Sequence, residues 1–309
     1  MVSRQWHFVV CDLCGESAGK DLFPLAHPDA PGGITFVRQC SGCGLRRLNP
    51  RPGREIIHLY YGSDYGAYVG RKRSALKQAL WDFLRDGASG APGPGRRLGP
   101  LTPFLKQLAN LAFDINIPLA GTPLPRILEV GCGFGDLLLY WQSRGADTLG
   151  VDFDERAVSA AKNLGIKMLL GDLTDQSIPN AAFDIIVFNH SLEHLYSPKT
   201  ALREAARLLR KNGKIFIAVP NGNGFGINVE KSEWVAISLP LHFWFFDYQI
   251  LTRMLLSAGF SQVQFTVRNH WQLILNRLRS LPLRQSIQAI RNLMKPMNGD
   301  TIRATAIRM

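Results

Sequence analysis

The sequence is short of acidic residues and has no long apolar run. It holds 24 Asp and Glu against 36 Lys and Arg in 309 residues, which gives a net charge of +12. A transmembrane helix needs about 18 or more consecutive apolar residues, so we expect none here. The first residues also lack the length and the small-residue cleavage site of a signal peptide. We therefore expect a cytoplasmic protein whose positive charge suits an anionic partner.

Cysteine is scarce, with five in the whole chain. Four of them form two pairs, Cys11-x2-Cys14 and Cys40-x2-Cys43, and each pair is followed directly by glycine. In a reducing compartment, such pairs bind metal more often than they form disulfides. Neither pair follows a strand–helix unit, which disfavours redox chemistry. The spacing predicts a structural Zn²⁺ held by all four thiolates in a zinc-ribbon module over residues 1–50.

The region after this module has a different composition. Residues 51–123 are predicted to form a helical linker or cap, with helical character over 51–85 and an amphipathic helix over 101–117. Between them, residues 87–100 are rich in Gly, Pro and Ala, which predicts a flexible loop.

From residue 126 onwards, short apolar strands alternate with helices. This order predicts an α/β domain over residues 124–309, built on a Rossmann-like, mostly parallel sheet. The last strand, Thr301–Ile307, alternates in polarity and is expected at an edge, antiparallel to the others. A basic helical insertion over residues 268–298 is expected to precede it.

The strand ending at Val130 runs into a glycine-rich turn that opens a helix. Gly131, Gly133 and Gly135 would let the backbone approach a ligand closely, as nucleotide and flavin sites also require. Asp152 ends the next strand, at the distance along the chain where an acidic side chain accepts ribose hydroxyls. Asp172 follows the third strand, where a polar group can meet an adenine edge.

Residues 126–267 resemble the class I S-adenosylmethionine (SAM)-dependent methyltransferases. The resemblance lies in LEVGCGFG, VDFDERAV and GDL, in that order along the chain. It implies that the turn glycines contact the methionine part of SAM and that Asp152 holds the ribose. The cofactor-binding residues that it implies are Glu129, Gly131, Cys132, Gly133, Gly135, Asp152, Phe153, Asp172, Leu173 and Asn189.

The segment after the fourth strand reads LEHLYSP and is similar to a Leu-Glu-His segment of that family. His194 is a candidate general base for removing a proton from the acceptor, with Glu193 orienting it. The alternative is that His194 lines the cofactor pocket without chemistry. The Asn/Asp-Pro-Pro-Tyr/Phe turn of enzymes that methylate amino groups of nucleic-acid bases is absent from this segment.

An aromatic cluster comprises Trp234 and the segment Pro240–Phe246. Similar methyltransferases have a Trp followed by Pro-x-His at this place. One interpretation is an acceptor pocket with His242 as a second acid–base group. The other is an aromatic plug in the core.

The N-terminal CxxCG…CxxCG arrangement resembles bacterial small-molecule and sugar methyltransferases that carry a zinc module. It implies a small-molecule acceptor: a sugar, a nucleotide-sugar or a lipid-linked glycan intermediate. The positive charge would attract a phosphorylated acceptor. Two alternatives remain open at this point, an RNA methyltransferase with a zinc module and an inactive zinc-binding scaffold. RNA is disfavoured because no aromatic RNA-binding motif occurs.

The basic segment 268–298 also has two interpretations. Its helical apolar spacing fits a lid over the acceptor site, and its charge fits peripheral contact with an anionic inner-membrane face.

Overall fold

A computed structural model describes residues 5–62, 75–89, 108–109, 113–115, 117, 124–268 and 299–309. The predicted flexible loop over 87–100 is wrong for residues 87–89, which are helical, and lies outside this part of the chain from residue 90 onwards. Most of the predicted helix 101–117 and nearly all of segment 268–298 also lie outside it. The strands are β1 Trp6–His7, β2 Gly19–Ala26, β3 Ile34–Cys40, β4 Arg46–Asn49, β5 Arg51–Pro52, β6 Arg126–Val130, β7 Asp147–Asp152, β8 Met168–Leu170, β9 Phe183–Asn189, β10 Leu209–Pro220, β11 Trp244–Phe245, β12 Phe260–Arg268 and β13 Thr301–Arg308. The helices are α1 Ala75–Ser89, α2 Asp136–Ser143, α3 Glu155–Asn163, α4 Pro198–Leu208 and α5 Tyr248–Ser257.

Seven strands form one sheet in the order β12-β13-β10-β9-β6-β7-β8. Strand β6 pairs in parallel with both β7 and β9, and β7 pairs in parallel with β8. Four consecutive residues of β6, 127–130, are buried, so side chains on both faces of this internal strand are covered. The predicted α/β class with a mostly parallel sheet is thus confirmed.

Local signals set the ends of the helices around this sheet. Helix α2 begins directly after Gly135, whose φ is 76°. Helix α3 is capped by Asp154, which accepts from the Arg156 N–H, and α5 is capped by Asp247, which accepts from the Ile250 N–H. Each carboxylate satisfies an amide that has no partner within its own helix.

The last strand corrects one expectation. The polar alternation of Thr301–Ile307 predicted a strand at the edge, but β13 lies between β12 and β10. Its residues Ile302, Ala304 and Ala306 are buried, and strand β12 takes the edge position instead. Alternation of polarity occurs both in edge strands and in internal strands that are covered on one face. It therefore does not determine the position of β13 in the sheet.

The N-terminal module is built on a second sheet, with the order β11-β4-β3-β2 and antiparallel pairing throughout. Strand β11 comes from the aromatic segment near residue 245, far along the chain. The expected helical character over 51–85 is wrong for residues 51–62, which form β5 and one short 3₁₀ turn, Ile57–Tyr60. Pro50, Pro52 and Gly53 explain this, because none of them favours a helix interior. Helix α1 bears out the later part of the prediction.

Contacts among the described residues divide the chain into two compact units. The first contains Met1–Gly62, His190–Arg203 and Ala218–Ala304, and the second contains Ser63–Asn189, Glu204–Ile217 and Thr305–Met309. The domain boundaries predicted at residues 50 and 123 stay predictions. Over the described ranges, no helix has both the length and the apolar character needed to cross a bilayer.

Candidate methyl-transfer site

The glycine turn lies in the second unit and follows β6. Gly131, Gly133 and Gly135 all have positive φ values, 69°, 52° and 76°. At Gly135 a side chain would also meet Ile166, because a Cβ at this position would lie 2.8 Å from the Ile166 Cδ1. The turn therefore requires glycine for its backbone shape.

Asp152 braces this turn from the end of β7. Its Oδ2 accepts a hydrogen bond from the Gly133 N–H at 2.8 Å, and its Oδ1 accepts from the Asp154 N–H at 3.0 Å. Burial raises the pKa of Asp152, and these two N–H donors oppose the shift. The residue predicted to hold a ribose thus also fixes the loop beside it, and each oxygen keeps a lone pair for a hydroxyl.

Two polar atoms near the turn have no hydrogen-bond partner among the described residues. They are Oε2 of Glu129 and Oδ1 of Asn189. Glu129 is 3% exposed, and burial raises its pKa to about 8. A buried carboxyl oxygen without a partner is costly, and a ligand that donates a hydrogen bond to it would remove that cost.

The other predicted cofactor residues divide into two kinds. Phe153 is exposed and Asp172 is partly exposed, so their side chains are open to a ligand. The Leu173 side chain is buried, and the Cys132 thiol lies 3.7 Å from the Val151 carbonyl oxygen and 3.9 Å from Met168 Sδ. The last two side chains are packed inward, which leaves their main chains as the groups that could face a cofactor.

A compact polar cluster lies in the first unit. One ligand atom each from Glu193, His194 and His242 lies within 4.8 Å of the other two. The rings of His194 and His242 meet edge to face, with centroids 4.5 Å apart. The two segments are joined by the Phe243 N–H, which donates to the Glu193 carbonyl oxygen at 2.9 Å. The sequence-predicted catalytic residues are therefore brought together, although about fifty residues separate them in the chain.

Burial dominates the electrostatics of this cluster. It lowers the pKa of His194 to about 3, assisted by the positive charge that His242 can carry and opposed by Glu193. Burial also lowers the pKa of His242. Burial by itself would raise the pKa of Glu193, but the contact with His190 and the charges of the nearby histidines bring it below its ordinary value. At neutral pH the cluster holds one carboxylate and a neutral His194.

Comparison with known proteins identifies the family. A methyltransferase-domain family model matches residues 128–217. A ubiquinone biosynthesis O-methyltransferase of Xanthomonas oryzae pv. oryzae is 30% identical over 178 residues, which cover 55% of this chain and 68% of that protein. The chain belongs to the SAM-dependent methyltransferases. A ubiquinone biosynthesis O-methyltransferase of Bradyrhizobium diazoefficiens is 28% identical, over 58% of this chain and 72% of that protein.

A solved structure supports the same fold. Phosphoethanolamine N-methyltransferase 2 of Haemonchus contortus, in complex with SAM, superposes with a TM-score of 0.52 at 13% identity. The superposition covers 84% of this chain and 62% of that one. In the present chain, the hydrogen-bond acceptors around the glycine turn fit SAM. Glu129 offers a carboxylate for a cationic amino group, and Asp152 has lone pairs left for hydroxyls.

Replacing the Glu129 carboxylate is expected to weaken SAM binding and to stabilise the SAM-free protein. Glu129→Gln is expected to weaken SAM binding about 10- to 100-fold, because a charged hydrogen bond becomes a neutral one. The SAM-free variant should unfold at a higher temperature than wild type at pH 8. The folded-state pKa of about 8 lies above the ordinary value of 4.5, so wild type loses stability as pH rises from 4.5 to 8.

Calorimetry with SAM and thermal unfolding between pH 5 and 8.5 measure both effects. Glu233→Gln, which alters an exposed carboxylate outside the cofactor motifs, is the matched control and should change neither quantity. Equal SAM affinity in wild type and Glu129→Gln would refute the role given to this carboxylate.

The four predicted metal cysteines converge in the first unit. Their Sγ atoms lie within 4.8 Å of one another, with 3.3 Å between Cys11 and Cys43 and 3.5 Å between Cys14 and Cys40. Thiolates about 2.3 Å from one Zn²⁺ would be about 3.8 Å apart, so the cluster has nearly the size of a tetrahedral site. Burial raises the pKa of Cys11 and of Cys43, and a bound cation would stabilise their thiolates.

The cysteine module is connected directly to the segment that carries His194. Asp12, between the first two cysteines, accepts from the Lys199 N–H and from the Ser197 hydroxyl, both at 2.7 Å. These groups lie at the start of α4, so Asp12 caps the helix that follows His194. Lys199 Nζ donates in return to the Leu13 carbonyl oxygen at 3.2 Å.

Asp12→Ala is expected to lower the free energy of unfolding by about 1–2 kcal/mol, because one helix amide loses its acceptor. Denaturant unfolding measures the loss, and the capacity to bind a metal should be kept because all four thiols remain. Asp29→Ala in the same module is the control, since Asp29 accepts from the Tyr60 hydroxyl and caps no helix. A loss of less than about 0.3 kcal/mol for Asp12→Ala, which is the error of such measurements, would contradict the capping role.

The aromatic segment separates into two parts. Trp234, Phe243 and Trp244 are almost fully buried, as are Phe245 and Phe246. The guanidinium of Arg51 lies 4.7 Å from the Phe243 ring centroid and 4.8 Å from that of Trp244. These rings serve packing and cation–π contact, as the core-plug interpretation expects. His242 differs from them because its ring faces His194.

Two residues near the cluster escaped the sequence-based prediction. The Tyr61 hydroxyl lies 3.1 Å from His194 Nδ1, and His190 Nδ1 lies 3.5 Å from Glu193 Oε1. His190 also has a φ of 53°, which a residue with a side chain adopts only under constraint. The sequence held a signal for His190, three residues before Glu193. Tyr61 stood among several nearby tyrosines, and only tertiary contact distinguishes it.

Proposed function

We propose that this methyltransferase methylates a hydroxyl oxygen of a small sugar-type acceptor, such as a sugar, a nucleotide-sugar or a lipid-linked glycan intermediate. The observation that carries the proposal is the cluster of Glu193, His194 and His242, whose acceptors can receive a hydroxyl hydrogen. Two relatives, named above, are described as O-methyltransferases acting in ubiquinone biosynthesis, which supports oxygen as the methylated atom.

SAM supplies a methyl group on a sulfonium centre, which is the electrophile of the reaction. The residues of the second unit bind it. Glu129 and Asn189 would receive hydrogen bonds from its polar ends, Asp152 would accept from its ribose, and Asp172 would meet its adenine. The glycine turn keeps side chains away from the bound cofactor.

Glu193, His194 and His242 act on the acceptor side. Methyl transfer to oxygen requires the hydroxyl to lose its proton as the new bond forms, and the cluster aligns that hydroxyl. Tyr61 fixes His194 through its Nδ1, and the Ala236 carbonyl oxygen fixes His242, whose Nδ1 lies 2.8 Å away. Glu193 follows Asn189 by four residues in the chain.

The cysteine module would hold a structural Zn²⁺. Four thiolates complete a tetrahedral shell and leave no position for a substrate. Its role is to order the strands β2–β4 and to present Asp12 to helix α4. The net charge of +12 would favour a phosphorylated acceptor. We place the protein in the cytoplasm, and the membrane or lid role of segment 268–298 concerns residues outside the described part.

An acceptor screen tests this proposal. The zinc-loaded full chain is incubated with methyl-labelled SAM and a panel of sugars, nucleotide-sugars, lipid-linked glycans and total RNA. We expect a mass increase of one methyl group on a sugar-type acceptor, at an oxygen located by fragmentation. Label found only in RNA, or no transfer to any acceptor, would overturn it.

A further inference from the structure

Glu193 is a buried carboxylate that the fold does not satisfy. The residue is 0% exposed, and neither carboxylate oxygen has a hydrogen-bond partner among the described residues. The polar group that faces it is His190 Nδ1, at 3.5 Å from Oε1. Burying an ionised carboxylate in this way is unfavourable unless a cation or hydrogen-bond donors compensate it.

The two histidines beside it are oriented as metal ligands usually are. His242 Nδ1 lies 2.8 Å from the Ala236 carbonyl oxygen, which can only accept, so Nδ1 carries the proton and Nε2 keeps its lone pair. His194 Nδ1 is engaged by the Tyr61 hydroxyl at 3.1 Å. An outer hydrogen bond that fixes the tautomer and ring is the common arrangement around a metal-bound imidazole.

We propose that Glu193, His194 and His242 bind a divalent first-row transition cation, as a second metal site besides the four cysteines. Two imidazoles and one carboxylate are a known ligand set for Zn²⁺ and similar ions with a position left open. Donors about 2.1 Å from one ion are about 3.4 Å apart in a tetrahedral shell. The observed separations, all within 4.8 Å, therefore need a closure of at most about 1.4 Å.

The proposal rests on the proposed function, and it has the acceptor hydroxyl bind the cation in place of the lone pairs of the three ligands. A cation in the open position would lower the pKa of a hydroxyl that it binds. In the reaction, the acceptor O–H bond breaks and its proton goes to solvent. The oxygen forms a bond to the methyl carbon while the carbon–sulfur bond breaks, and that electron pair stays on sulfur. The acceptor class is thus a molecule with a hydroxyl that can bind a metal, as sugar diols do.

Manganese binding to the zinc-loaded full chain tests the site. Mn²⁺ is the probe because thiolates bind it poorly, so it leaves the cysteine site to zinc. Electron paramagnetic resonance and metal analysis should each find about one Mn²⁺ per chain, because the ligands form one site. Glu193→Gln and His242→Gln should each weaken binding at least about tenfold. Glu55→Gln, which alters an exposed carboxylate 3.4 Å from His7, should bind as wild type does.

No Mn²⁺ bound by wild type, or equal binding by wild type and both variants, would overturn the metal site. Retained zinc and SAM affinity show that a variant is folded, and if Glu193→Gln fails that check, His242→Gln decides. Sugar methylation that continues unchanged after all metal except the cysteine-bound zinc is removed overturns this inference alone. Mn²⁺ binding without any methylated acceptor supports the site and counts against the proposed function.

Discussion

Cys40→Ser is expected to lose its bound zinc and the ordered structure of the N-terminal module while it still binds SAM. The sheet of the module is small, with β2, β3, β4 and the two-residue β11, so a metal bound by the four thiolates would supply a large part of its stability. Structural zinc contributes about 10–16 kcal/mol of apparent binding free energy in small zinc modules. Removing one of four thiolates therefore removes most of the term that orders residues 11–45. SAM binding should persist because its predicted contacts lie in the other unit.

Three measurements check this expectation: metal content, hydrogen exchange across β2 and β3, and calorimetry with SAM. We expect about one zinc per chain in wild type and none in the variant, by the ligand count of one four-thiolate site. The matched control is Cys132→Ser, since Cys132 is the one cysteine outside the cluster, and it should retain its zinc. Slow exchange at β2 and β3 in a zinc-free Cys40→Ser protein would show that the module folds without metal and would refute the structural role.

The sequence was most informative where the relevant contacts are local. Strand β6, its glycine turn and helix α2 follow one another directly, and the turn residues specify their own backbone shape. The same holds for the two CxxC pairs, where each pair brings its own thiolates together. Element types along residues 126–268 were predicted for this reason, because apolar runs and helical spacing are properties of short windows.

Long-range pairing accounts for what the sequence could not supply. Strand β11 joins β4 through Trp244 opposite Arg47, and no local pattern near either residue encodes that partner. The position of β13 inside the sheet also depends on β10 and β12. For the site, Glu193 and His194 were found from a motif, whereas Tyr61 became relevant only when the fold placed its hydroxyl against His194.

Substitution of His194 is expected to slow methyl transfer more than substitution of Tyr61. His194→Gln is expected to lower kcat by about 10²- to 10⁴-fold on the acceptor found in the screen, the usual effect of losing a group that handles a proton or holds a cation at the reacting atom. SAM affinity should stay within about twofold of wild type, a free-energy difference below 0.5 kcal/mol. Tyr61→Phe removes only the hydrogen bond that orients His194, so a smaller loss of about 3- to 10-fold is expected.

Steady-state kinetics measures kcat for the two variants, and calorimetry measures their affinity for SAM. His58→Gln is the control because His58 is exposed and lies in the same unit, three residues before Tyr61. It should leave kcat and the SAM Kd unchanged. If His194→Gln turned over as fast as His58→Gln, His194 would only line the site, and Glu193 with His242 would be left to activate the acceptor. A His194→Gln protein that lost SAM binding as well would instead indicate a structural role, because a group acting on the acceptor lowers kcat without changing cofactor affinity.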